Sequence, residues 1–231
     1  MRIIDDPEFS SALGRGMLFA VLSSSLGLLS GLGLAHLMYR GFRGLNTFRV
    51  ILCLPLAIPP IAIGSMWKLL VSPSIGPVSY YMGKIGIAYD ITMNAQQAFA
   101  TTLLIDLWHW LPFSSLVLLS GLVAIPRDIL EAADIDGASG WHKWRKVILP
   151  MIVSQCLIVI LIRFMDSFRI FDEVYMLTAG GPGSATRYLS LYLYNLILRS
   201  WDIGYGLALS TVFFFIVEWT CFALFRVIGK R

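Results

Sequence analysis

The sequence predicts an all-α protein built from about five membrane-spanning helices. Three observations carry that expectation. The chain of 231 residues is 57% hydrophobic and only 14% charged, with a mean hydropathy of +0.75. Soluble domains carry about 25% charged residues, so this chain has too few polar side chains to cover a water-facing surface. Apolar stretches approaching the roughly 20 residues that cross a bilayer recur along it. Between two of them stands one short segment, Arg127 to Lys146, in which eight of 20 residues are charged. Residues 1–231 read as a single transmembrane domain. The net charge of +4 is modest. Basic residues in such a chain set its orientation and give no reason to expect nucleic acid.

The spans follow in order. Gly16 to Tyr39 carries no charge and is rich in small residues (Ser23, Ser24, Ser25, Gly27, Gly31, Gly33), which lets neighbouring helices approach closely. Val50 to Trp67 holds Pro55 and the pair Pro59–Pro60, so it should bend or break there, as a static kink or a hinge. Ser72 to Asn94 is more polar and is expected at the outer surface, with a short helix around Val78 to Ile85. Ala98 to Val123 is the third span, interrupted by Asp106, His109 and Pro112. Val147 to Ile162 begins the fourth and runs into Arg163, Asp166 and Arg169. Ile203 to Phe225 is the last, with Glu218 inside it as a helix-contact residue. Cys53, Cys156 and Cys221 all lie in apolar runs without metal-ligand spacing, and read as packing residues.

Loop charge sets the orientation. With Arg127 to Lys146 inside, Arg40, Arg43 and Arg49 and the basic C-terminus (Arg226, Lys230, Arg231) are inside too. That side then holds ten of the 18 Lys and Arg. The N-terminus, with Asp5, Asp6 and Glu8, falls outside.

The charged segment, 126–146, has helix–turn–helix punctuation. Pro126 suits a first helical position, Asp128 and Glu131 favour the positive end of a helix dipole, Gly137 offers a stop and Ser139 a cap. Ala132, Ala133 and Ala138 are small enough for a second protein to approach. Trp141 and Trp144 share a face beside Lys143, Arg145 and Lys146, the pattern of an anchor at the membrane surface. By spacing alone an ordinary solvated loop remains the simpler reading.

The residues themselves add more. Glu131-Ala132-Ala133-Asp134-Ile135-Asp136-Gly137-Ala138, followed by Ile148-Leu149-Pro150, closely resembles the EAA loop of ABC importer permeases. Phe171-Asp172-Glu173-Val174-Tyr175-Met176-Leu177-Thr178, then Gly180-Gly181-Pro182-Gly183 and Ala185-Thr186, resembles the outer loop of the carbohydrate-uptake branch, relatives of maltose and glycerol-3-phosphate permeases. Leu54-Pro55-Leu56-Ala57-Ile58-Pro59-Pro60 and Trp67 are similar to the proline-bearing helix of the same proteins. The resemblance runs from about Phe9 to Val227. Many such permeases carry one more helix upstream, so the match is to a five-helix, type I importer core.

The resemblance implies a transport subunit of a bacterial-type inner membrane, without catalytic residues or cofactor. Its coupling helix would dock in a groove of a cytoplasmic ATPase through Glu131, Ala132, Ala133, Asp136, Gly137 and Ala138. It also implies a second, homologous permease chain, two ATP-binding subunits, an extracytoplasmic solute-binding protein and a sugar-like solute. Gly180-Gly181-Pro182-Gly183 lacks the Gly-Lys-Ser/Thr ending of a phosphate-binding loop, so ATP is not expected to bind here.

Charges inside spans are costly and usually face a cavity or one another. Asp106 and His109 share a helical face, and Arg163, Asp166 and Ser167 lie within one turn. Two readings stay open. The two groups line a polar path for a hydroxylated solute, with Trp108 or Trp110 as a stacking surface; or Asp106 or Asp166 pairs with Arg163 for structure. Arg163, Asp166 and Arg169 also suit the outer interface. An ion-driven transporter would account for the carboxylates but not for the loop. A membrane enzyme would need a constellation that the scattered His36, His109 and His142 do not form.

Overall fold

A computed structural model describes residues 5–228. The expectations for Lys230 and Arg231 lie outside the described residues. Twelve α-helices and three tighter or wider helical turns account for the elements, and no strand occurs among the described residues.

Helix α1 (Pro7–Arg40) starts at Asp6, whose side chain accepts from the backbone N–H groups of Glu8 and Phe9, both at 3.0 Å. Burial pushes the Asp6 carboxyl up. Hydrogen bonds from Tyr192, Phe9, Tyr205 and Glu8 outweigh that and hold it below its ordinary value. Helix α2 (Leu45–Cys53) passes through a 3₁₀ turn (Leu54–Ala57) and an extended Pro59 into α3 (Pro60–Leu70). The two halves are bent by 99°. The break expected at Pro59–Pro60 is present because a residue before proline is driven out of the helical region, while Pro60 suits a first helical position. Helix α4 (Pro77–Lys84) matches the short helix expected there.

Helix α5 (Ala95–Val123) forms the third span and runs through Pro112 without a break. Pro112 is buried, and packed neighbours let a membrane helix tolerate the missing hydrogen bond. Helices α6 (Arg127–Ile135) and α7 (Gly140–Lys143) form the charged segment. A π-helical turn (Trp144–Ile148) and the three-residue α8 (Leu149–Met151) then lead into α9 (Val153–Phe168). The chain bends by 68° between α8 and α9. That bend escapes a reading of hydrophobic length, yet a π-turn beside Pro150 is a usual cause of one. Helices α10 (Asp172–Leu177) and α11 (Leu189–Tyr194) are short. After a second π-turn (Asn195–Arg199), α12 (Ile203–Ile228) completes the chain. Three helices are long and apolar enough to cross a membrane, or five spans if each bent pair counts as one.

Helix α1 packs between α5 and α9. Gly31 makes the closest approach possible: a Cβ there would lie 2.9 Å from Ser114 Cβ on α5. One apolar cluster joins Ala35 and Met38 to Leu118, Leu122, Ile152 and Val159. Another joins Phe19 to Ile170, Val174, Tyr188 and Leu191 at the opposite end. Glu8 pairs with Arg187, so the start of α1 and the 178–187 loop share an end. His36 meets Trp144 ring to ring at 4.9 Å, so the end of α1 and the charged segment share the other. Large apolar side chains such as Leu29, Phe214, Phe215 and Trp219 point outward, as a lipid solvent requires. Glu218 is exposed on α12. Cys156 is buried and Cys53 and Cys221 are half-buried; all three are free thiols.

Candidate functional site

The intramembrane charges converge at the centre of the bundle. Arg163 on α9 is wholly buried, and its Nη2 donates to Asp106 Oδ2 on α5 at 2.5 Å and to Ser23 Oγ on α1 at 2.6 Å. The Ser23 hydroxyl donates to the same Asp106 oxygen, and Ser167 Oγ lies 2.8 Å from Ser23 Oγ. Arg163 Nη1 lies 3.6 Å from Asp166 Oδ2, and Arg169 reaches Asp166 at 3.4 Å. Three helices are thus tied by one charged knot. The opposite charges compensate the burial, while Nε and Nη1 of Arg163 find no hydrogen-bond partner among the described residues. Arg163 is wholly buried in the bundle, whereas Arg169 is largely exposed.

The helical face shared by Asp106 and His109 splits between two partners. Asp106 turns to α1 and α9. His109 Nδ1 lies 3.3 Å from Glu173 Oε1 on α10, with both side chains buried. Glu173 is held against α3, where Gly64 lets the backbone close in: a Cβ at Gly64 would sit 2.7 Å from the Glu173 carbonyl oxygen. Sequence reasoning missed Ser23 and Glu173 as members of this group. Ser23 had been read only as small, and Glu173 only as part of a loop pattern.

A cavity of about 340 Å³ opens beside the knot, lined by Pro60, Asp106, Trp110, Asp166, Arg169, Asp172 and Glu173. Trp110 also lies under Arg163, with the guanidinium carbon 5.0 Å from its ring centre. Trp108 faces elsewhere, packing on Trp67 at 5.9 Å within an apolar cluster. Of the two tryptophans considered for a stacking role, only Trp110 borders the cavity. Burial, and then the neighbouring Glu173, push the Asp172 carboxyl up. The cavity therefore presents carboxylates that accept hydrogen bonds from hydroxyls, next to an aromatic face. Ser167 and Arg163 stand behind that surface and position Asp106.

The charged segment has the expected form with one shift: Pro126 precedes the first helical residue, with an extended ψ of 136°. Asp128, Glu131, Ala132 and Ile135 share the outer face of α6, and Ile135 is 86% exposed. Ala133 points the other way and is buried within the chain; Ala138 is half-buried. Gly137 takes a φ of +72°. It closes α6 with Gly137 N–H to Asp134 O and Ala138 N–H to Ala133 O, each 3.0 Å, the hydrogen-bond pair of a left-handed glycine stop. Ser139 caps α7 by accepting from His142 N–H. Lys143 Nζ bonds both oxygens of Asp134, at 2.7 and 2.8 Å, bracing the turn. Asp136 and Glu131 are exposed.

The Gly180–Gly183 segment closes on itself. Thr178 and Thr186 hydroxyls lie 2.6 Å apart, and Thr186 donates to Gly181 O.

Comparison with known proteins shows the family and the fold. The profile of the family described as "Binding-protein-dependent transport system inner membrane component" matches residues 23–229. The trehalose/maltose transport system permease protein MalF of Thermococcus litoralis is 33% identical over 218 residues, covering 94% of this chain and 74% of that one. The sn-glycerol-3-phosphate transport system permease protein UgpA of Agrobacterium fabrum is 28% identical over 233 residues, covering 99% and 78%. A chain of a bacterial alginate ABC transporter, solved with an alginate pentasaccharide-bound periplasmic protein, superposes with a TM-score of 0.83. It is 21% identical and is covered over 82% of its length by 99% of this chain; that likeness establishes the fold.

Proposed function

Because the chain belongs to the family of inner-membrane components of binding-protein-dependent transport systems, we propose that it is one permease subunit of an ATP-driven carbohydrate importer. It forms half of a solute path and couples that path to a separate cytoplasmic ATPase. The observation that carries this reading is the outer face of α6. Glu131, Ala132 and Ile135 stand exposed on one helical face beside a left-handed Gly137. A short, small-residue helix with a free carboxylate fits a protein groove, where burial of that carboxylate against a basic group would set register.

The partners follow from this role: a homologous second permease, two ATP-binding subunits and an extracytoplasmic solute-binding protein. The loop end of the bundle faces the cytoplasm, so the N-terminal end and the 178–187 loop face outward. The cavity beside Asp106, Trp110 and Asp166 takes a sugar or related polyol, its hydroxyls donating to carboxylates and one sugar face lying on Trp110. Arg163, Ser167 and His109 hold that surface in place.

The test is Glu131→Lys in the assembled importer. The subunit should still insert and purify with its permease partner, while solute-stimulated ATP hydrolysis and uptake fall at least about ten-fold. That is the scale on which truncating one member of a buried interface charge pair acts. Normal uptake by this variant would overturn the assignment of α6 as the coupling helix.

A further inference from the structure

A second cavity lies away from the path. It is an open groove of about 740 Å³ between the last turns of α1 and the α7 segment, bordered by Leu29, Leu32, Gly33, His36, Arg40 and Trp141. Its walls grade along α1, from apolar at Leu29, which is 64% exposed, to cationic at Arg40, which is exposed and makes no ion pair among the described residues. From Leu29 to Arg40 a helix rises about 16 Å. One leaflet of a bilayer, half of the roughly 30 Å hydrocarbon core, is about 15 Å deep. The groove therefore has the depth and the polarity gradient to hold a single phospholipid, and a charge opposite to that of its phosphate.

Two further features fit that occupant. Gly33 leaves the floor open, since a Cβ there would meet nothing within 4 Å. Trp141, 72% exposed, stands where an amphipathic ring belongs at the headgroup level. Lys143 also borders the groove, but Asp134 already holds its ammonium. Among the described residues that border the groove, Arg40 is therefore the cation without an ion pair.

We propose that this groove is a binding site for an anionic phospholipid, its phosphate against Arg40 and an acyl chain along Leu32 and Gly33. The lipid would bridge α1 to the segment that carries the coupling helix. The proposal stands on the groove and not on the identity of the solute.

The test uses the full chain, purified with its co-expressed importer subunits and placed in phosphatidylcholine nanodiscs. The discs carry equal fractions of either brominated phosphatidylglycerol or brominated phosphatidylcholine. Quenching at Trp141 is isolated by subtracting the signal of Trp141→Phe. Brominated phosphatidylglycerol should be preferred by about five-fold, the scale of one basic residue at an anionic surface. Arg40→Gln should bring the preference close to one. Gly33→Phe, which fills the floor, should lower quenching by both lipids. Equal quenching by the two lipids in the unaltered protein would overturn the proposal, as would a preference that survives Arg40→Gln. Absence of quenching by either lipid in the assembled importer would also overturn it, since a protein neighbour would then cover the groove.

Discussion

The centre of the bundle and the charged segment treat the same kinds of side chain in opposite ways. At the centre, Asp106 and Arg163 are buried, joined to each other and tied to Ser23 and Ser167. In the segment, Glu131 and Asp136 are left in the open, and only Asp134 is braced, by Lys143. A charge inside a low-dielectric bundle must find its partner within the chain, because nothing else there can solvate it. A charge at the membrane surface is hydrated in either case, so it is free to be claimed by another protein. The contrast separates charges that build the subunit from charges that connect it.

The strongest way to break the comparison is Arg163→Ala. It leaves Asp106 buried without its partner, which costs about 3–5 kcal/mol. The yield of folded, monodisperse subunit and its melting temperature should both fall. The double variant Asp106→Leu with Arg163→Met should recover much of that loss, because no unpaired charge remains. If the single variant melted normally, the knot would be a solvated surface and the contrast would vanish.

Next in size is Gly137→Val. A branched residue at a φ of +72° pays about 1–2 kcal/mol of backbone strain. The turn between α6 and α7 should loosen and give faster proteolysis of the segment, while the bundle keeps its melting temperature. A fall in the bundle's own stability would mean that the segment and the core form one cooperative unit. Lys143→Ala sharpens the smallest difference. The Lys143–Asp134 pair is braced but partly exposed, so its loss should cost about 0.2–1 kcal/mol and diminish in high salt. Salt should leave the buried Asp106–Arg163 pair untouched.

Much of this was legible in the sequence. Apolar length located the spans, the proline pair marked the break before α3, and Gly137 and Ser139 placed the turn and cap of the charged segment. Other features were not legible. Pro112 reads as an interruption in one dimension, but α5 passes through it under tight packing. The 68° bend before α9 lies inside a run that hydropathy treats as continuous. Trp108 and Trp110 are equivalent by composition, yet two positions along a helix turn a side chain to a different neighbour, so one joins the core and the other borders the cavity.

The sequence by itself determined that this chain must live in a bilayer, how many times it could cross and which segment stays charged outside the hydrocarbon. Those properties follow from transfer free energies that add residue by residue along the chain. Only the tertiary structure decided which charge answers which. Arg163 meets Asp106 across 57 residues and Ser23 across 140, and His109 meets Glu173 across 64. Such pairings depend on the rotation and closeness of packed helices, where a glycine at 31 or 64 decides whether two backbones touch, and no local pattern encodes them.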